Sequence, residues 1–191
     1  MIPRLCVFLS LALGALAGAG CGSSPAVRSY TLAPDTAPVT DSAPSPSVVI
    51  GPVSLPEAID RLQIVRRVDG VRSEPSDGHR WAGALKNEIA RRLASAVGRE
   101  RGLARVLAAP QHSIARPEIA VPVDVLRFDA DGFAAVTLDA LWSVRRDGQD
   151  IASGHFIRSE PVTAHTHEAL VAAHGRLVDA LAVDVAAAIP R

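Results

Sequence analysis

Between residues 119 and 157 apolar and polar side chains alternate with a period of two. Ile119, Val121, Val123 and Val125 stand against Pro122, Asp124 and Leu126, and Val136, Leu138, Ala140, Trp142 and Val144 against Thr137, Asp139, Leu141 and Ser143. Ile151, Ser153, His155 and Ile157 alternate in the same way with Ala152, Gly154 and Phe156. That period is the mark of a strand with one buried face, which sets His155 beside Ile151 and Ile157 on an inward side. Asp131-Gly132 and Asp147-Gly148 separate the three runs. Asp-Gly favours tight hairpins, so the pattern predicts an antiparallel meander. Pro122 has no N–H to donate and predicts an unpaired position or an edge in the first of these strands.

Elsewhere the period lengthens to that of a helix. Trp81, Leu85, Ile89, Leu93 and Val97 form one stripe, predicting a helix over 78–97 with Asp77 as N-cap and Gly98 as its stop. Leu170, Leu177, Leu181, Val185 and Ile189 form another, predicting a helix over 167–189 capped by Thr166 and stopped by Pro190. Shorter strand patterns occur at 28–33, 47–53 and 61–68, with a single helical turn at 55–60 and a hairpin signal at Asp69-Gly70 leading into 71–73. Arg66 interrupts the buried face of 61–68, which predicts an edge strand or an arginine paired with an acid. Residues 110–117 read as a polar crossing into the meander. The apolar face of the sheet needs a cover, and two amphipathic helices are available. The expected fold is α+β: a single-domain sandwich, with a mixed or antiparallel sheet and two long helices packed on one face.

The start of the chain has a different pattern. Arg4 is followed by an apolar run from Leu5 to Ala19 and then Gly20-Cys21, the profile of a secretory signal peptide. A retained membrane span needs about 20 apolar residues, and this stretch reaches 18 only if drawn from Leu5 to Gly22. The small residues before Cys21 resemble the processing site of bacterial lipoproteins, with Gly18 where such sites usually have Leu. That resemblance implies cleavage before Cys21 and acylation of its thiol, and more than one acyl chain makes such an attachment stable. Residues 1–21 are therefore read as a lipoprotein signal peptide and 22–27 as a short tether. Residues 28–191 form the body, with a Pro-rich connector at 34–47. Gly22 after the cysteine, in place of Asp, implies by analogy a bacterial outer-membrane address on the periplasmic face.

Charge and chemistry narrow the function further. The chain has 20 basic and 20 acidic side chains, and loss of Arg4 with the leader leaves 19 basic. The arginines are scattered among acids, which argues against a nucleic-acid partner. Both cysteines, Cys6 and Cys21, fall in or at the edge of the leader, so the body has no thiol for a disulfide, a nucleophile or a Cys-based metal site. No phosphate loop, dinucleotide fingerprint, zinc-protease motif, calcium loop or nucleophile elbow occurs. His165, His167 and His174 are the best candidate ligands, but no acid or cysteine at metal spacing completes a site; they read as a polar cluster at a helix start. His155 reads as a core or boundary histidine. Asp124 and Asp139 read as solvent-facing acids rather than a catalytic pair, Trp81 and Trp142 as core, and Arg66-Arg67 and Arg91-Arg92 as solvated faces rather than headgroup sites. No catalytic residue, cofactor or metal is assigned.

Over residues 28–190 the chain resembles the auxiliary lipoprotein component of ABC-type transport systems, the group that includes the paraquat-inducible accessory lipoprotein. The pieces that carry the resemblance are Ser29-Tyr30-Thr31-Leu32, Leu55-Pro56 with Ile59-Asp60-Arg61 and Gln63-Ile64-Val65-Arg66, and Arg80-Trp81-Ala82 with Leu85. Further pieces are 136–142, 169–174, Leu181-Ala182 and Asp184-Val185-Ala186. The chain departs from the pattern at Ala58-Ile59, where Tyr-Leu is usual, and at Leu62, where Pro is usual. The resemblance implies a non-enzymatic envelope component, an adaptor or docking module for traffic of lipids or hydrophobic compounds. Its implied partners are a mammalian-cell-entry-type substrate-binding protein and an ABC permease and ATPase. It also implies attachment to a membrane through the N-terminal lipid, and assembly as a homo-oligomer is compatible with it. Two other readings stand beside it: a direct lipid carrier, which needs an apolar cavity, and a hydrolytic enzyme, which needs a convergent polar pocket at His155 or His174.

Overall fold

The computed structural model describes residues 26–32 and 45–190. The leader, Cys21, most of the tether and most of the connector lie outside the described residues. In chain order the elements are β1 (Arg28–Tyr30), β2 (Val48–Ser54), β3 (Gln63–Arg67), β4 (Ser73–Trp81), α1 (Leu85–Arg101), β5 (Val106–Ala108), β6 (Ile119–Asp131), β7 (Ala135–Arg146), β8 (Gln149–Pro161) and α2 (His167–Ala188). All eight strands join one mixed sheet.

The meander forms as the alternation predicts. β6 pairs antiparallel with β7, and β7 with β8. Asp147 and Gly148 both take positive φ, 52° and 78°, the two-residue turn for which Asp-Gly is suited. The other side of β6 is shared. β2 runs parallel along its first half, from Val48 beside Ile119 to Ser54 beside Asp124, and β3 runs parallel at its last two residues, Ala130 and Asp131. β5 extends the sheet beyond β2, while β4 and then β1 extend it beyond β3. Pro122 lies in an interior strand, opposite the register shift between Ile50 and Val53 of β2. The missing N–H is thus absorbed at an irregularity, not at an edge.

Both helices cover one face. α1 lies over β2 and β5, α2 over β7 and β8, and the helices touch each other. Val121, Val123, Leu138 and Ala140 from the sheet meet Ile89, Leu93, Leu181 and Val185 from the helices, all fully buried. Thr166 caps α2, accepting from the Ala169 N–H at 3.2 Å. Among the described residues no helix is long and apolar enough to cross a membrane.

Four local expectations change. Residues 78–81 are strand, not helix, because they pair with β1 (His79 beside Arg28, Trp81 beside Tyr30), and α1 starts at Leu85 with Ala84 as its cap. Trp81 is core in either state, so the stripe alone does not separate them. The helix passes through Gly98 and ends at Gly102, where the Leu103 N–H returns to the Gly98 carbonyl at 2.9 Å. On β8 the inward face is the other one. Phe156 is buried while Ile151 and Ile157 are exposed, because the ring of Trp142 fills the space over Gly154 and the small residues mark the inner side. Finally, β3 is interior, between β4 and β6. Arg67 meets Asp129 at 2.9 Å, and the Arg66 guanidinium stacks over the Phe133 ring at 4.5 Å.

Candidate functional site

The densest polar construction among the described residues surrounds 28–32, the first segment behind the tether. β1 adds only three residues to the sheet, too little to hold a chain end by itself. Side chains from three other elements complete the grip. The Tyr30 carbonyl accepts from the Ala82 N–H at 2.6 Å. Thr31 Oγ1 and the Leu32 N–H donate to one oxygen of Glu88, at 2.7 and 3.0 Å, and Arg91 holds the other. The Leu32 carbonyl accepts from Arg92 Nη1 at 2.6 Å. Arg92 also forms a two-pronged pair with Asp179 of α2, at 2.9 and 2.6 Å. Leu32 itself is 1% exposed, inserted into the core. One strap is thereby fastened to β4, α1 and α2 together.

Glu88 is 3% exposed. Burial pushes its carboxyl up, but the bonds from Thr31 and Leu32 and the charge of Arg91 outweigh that and hold it below the usual range. Arg92 lies across α2 because residue 175 is glycine: a Cβ there would stand 2.8 Å from the guanidinium carbon. Gly175→Ala is therefore expected to displace Arg92 and cost about 1–3 kcal/mol, as overpacking does, measured as a lower urea midpoint at unchanged slope. Equal midpoints would mean that Arg92 moves aside freely.

An aromatic stack closes the other side of the strap. His79 and His167 are parallel, with centroids 3.5 Å apart. Tyr30 Oη donates to Glu168 Oε1 at 3.1 Å and meets His79 Nδ1 at 2.8 Å, so its single proton leaves His79 as the donor. His167 Nε2 meets Ser76 Oγ at 3.2 Å. Burial first, then the neighbouring His79 and Arg66, lower the His167 pKa to about 4.

The predicted histidine cluster is thus divided. His167 belongs to the stack, and His165 packs on Phe133 at 4.3 Å. His174 is buried edge-on against Trp81 and Phe128, its Nδ1 bonded to the Leu170 carbonyl at 2.9 Å. No group of three or more His, Cys, Asp or Glu among the described residues stands in reach of one metal ion. His155 is on the open sheet face, bonded to Asp139 at 2.7 Å. Asp124 accepts from Ser54 Oγ at 2.6 Å, and the cross-strand neighbour of Asp139 is Arg127, not Asp124. Trp81 is part of the buried core, and Trp142 is partly buried at the edge of the same core cluster. Arg91 is half exposed and pairs with Glu88, while Arg92 is mostly buried and pairs with Asp179. An open groove of about 410 Å³ lies between Arg67, Val68, Phe133 and His165. Glu88, Asp179 and Gly175 have no motif to announce them; the only signal is a run of polar side chains on otherwise apolar helix faces.

One mixed sheet is covered on one face by two helices, and the densest polar construction among the described residues holds the segment 28–32. The profile of the ABC-type transport auxiliary lipoprotein component family matches residues 30–186, and the chain belongs to that family. Two crystal structures resemble it in fold. An uncharacterized protein aligns with a TM-score of 0.68 at 15% identity, over 85% of this chain and 97% of that one. A Xanthomonas campestris protein of the DUF330 family aligns with a TM-score of 0.59 at 18% identity, over 84% and 90%. No curated protein matches the chain.

Proposed function

We propose that this chain is the lipid-anchored periplasmic accessory component of an ABC transporter for lipids or hydrophobic compounds. It acts as an adaptor beside a mammalian-cell-entry-type substrate-binding protein and the permease and ATPase. Residues 1–21 are removed, Cys21 is acylated, 22–27 are the tether and 28–191 the body, held at the periplasmic face of the outer membrane. The observation that carries this reading is the strap. A chain tethered at Cys21 transmits any pull first to Arg28–Leu32, where β4, α1 and α2 share the load. Family membership supports the transport role. The interior between helices and sheet is filled by buried side chains, which favours an adaptor over a carrier that encloses its lipid.

Crosslinking the acylated protein in intact envelopes tests the role: recovery of transporter subunits is expected, and adducts without any would remove the adaptor reading. For the anchor, incorporation of radioactive fatty acid should disappear in Cys21→Ser. Labelling at the original level would place the lipid elsewhere.

A further inference from the structure

The chain enters the body from one definite end. β1 runs parallel to the last residues of β4, with Arg28 beside His79 and Tyr30 beside Trp81. The residues before Arg28 therefore point back along β4 toward its start at Ser73. There the β3–β4 hairpin turns, through Val68 to Arg72, with Arg67 beside Ser73. The same end carries the β6–β7 turn, whose Gly132 N–H donates to the Arg67 carbonyl at 2.8 Å, and the approach to α2, where the Val162 N–H donates to the Ala134 carbonyl at 2.9 Å.

That hairpin is built to hold an apolar side chain out. Val71 is 93% exposed, yet its turn is ordered. Asp69 Oδ1 accepts from the Val71 and Arg72 N–H groups at 3.1 and 2.8 Å, Asp69 Oδ2 pairs with Arg72 at 2.6 Å, and the Val68 N–H donates to the Arg72 carbonyl at 3.0 Å. A lone exposed valine is ordinary. Here Val68 and Val27, both exposed, accompany it, and the open groove beside Phe133 and His165 adjoins Val68. The charges around them are Arg28, Arg66, Arg67 and Arg72 against Asp69, Asp131 and Glu168. They nearly balance, which suits the interfacial zone of a bilayer, where apolar tips enter between headgroups, better than a strongly anionic target.

We infer that this end of the body, led by Val71, is a lipid-contacting surface that rests on the membrane to which Cys21 is attached. The inference rests on the anchoring reading, and the length of the tether enforces it. Residues 22–25 are all that separate Cys21 from Ala26, and fully extended they reach roughly 18 Å. The body is thus kept close to the bilayer, and the end it keeps closest is the one bearing Val71. Contact there fixes the orientation of the molecule, with the β7–β8 turn at Asp147 pointing away.

The test uses the full chain, produced acylated and reconstituted into vesicles of phosphatidylethanolamine and phosphatidylglycerol. An environment-sensitive dye is placed at Val71→Cys or, as the control, at Asp147→Cys. Lipids with spin-labelled acyl chains should quench the first strongly and leave the second unchanged. With the dye moved to Gly70→Cys, adding Val71→Asp should lower quenching by about threefold or more, since a valine's transfer free energy is replaced by the cost of a charge. Mass spectrometry of Cys21 separates the two ideas. If Cys21 is acylated and both dyes stay unquenched, or both are quenched alike, the surface is refuted while the anchor stands. If Cys21 is unmodified and the Val71 position is still quenched, the surface holds and the anchor is refuted.

Discussion

Glu88→Ala is expected to release the strap. The carboxylate is nearly sealed from solvent and is the acceptor for both the Thr31 hydroxyl and the Leu32 N–H. Truncation leaves that N–H buried without its acceptor and Arg91 without its partner. Losing a buried charged acceptor of this kind costs about 3 kcal/mol, a large share of the 5–15 kcal/mol that typically holds a domain together. Glu88→Gln keeps the shape and one acceptor oxygen and should cost about 1 kcal/mol. Two measurements separate a local from a global effect. Urea midpoints report the total, and limited proteolysis reports whether cleavage appears first within 28–32. A midpoint unchanged in Glu88→Ala would sink the idea that this residue fastens the strap. A lower midpoint with uniform cleavage throughout the body would show that Glu88 serves the core in general.

The strap also shows what a sequence reveals and what it hides. The meander and α2 are legible because each signal there is local: alternation, Asp-Gly turns, and a threonine before a helical stripe. The start of α1 is not legible from the stripe, since Trp81 occupies a core position whether 78–81 are strand or helix, and the choice is made by β1, about fifty residues upstream. On β8 the apolar scale misleads. Trp142 of the neighbouring strand needs a glycine beneath it, so the buried side carries Ala152 and Gly154 while isoleucines face outward. The sequence pieces that carry the family resemblance do meet in space. Ser29 to Leu32 lie against Arg80 to Ala82, and the helix piece 169–174 includes His174, which packs on Trp81. What links them, Glu88, Arg92, Asp179 and the gap at Gly175, is distributed over two helices and has no one-dimensional signature.

Acid should weaken this protein well above the range in which carboxylates titrate. His174 is fully buried and His167 is crowded by His79, Arg66 and its own burial, and both have pKa values lowered from 6.5 to about 4. Around His167 the facing groups are His79 and Ser76 of β4, Tyr30 and Arg28 of β1, Arg66 of β3, Phe133 and Glu168; of these charges only Glu168 favours a proton on the ring. Both folded-state values lie below the unfolded one, so between about 6.5 and 4 the unfolded chain binds more protons. The contribution is complete above 6.5 and is lost as the pH falls toward 4, where both states are protonated. For His174 alone a shift of this size corresponds to about 3 kcal/mol. Urea midpoints should hold from pH 7.5 to about pH 6.5 and then fall steadily to pH 4, with a slope approaching two protons taken up on unfolding. Glu88, held low in the folded state, adds its own loss only below about 4.5. His174→Phe, which retains edge contacts with Trp81 and Phe128, should remove close to one proton from that slope. His167→Asn, which retains a partner for Ser76, should remove part of the other. If the slope of His174→Phe matches the parent, the buried imidazole is not the group that makes the fold acid-sensitive. If only His167→Asn flattens it, the sensitivity belongs to the strap and its stacked histidines, the side of the body from which the tether departs.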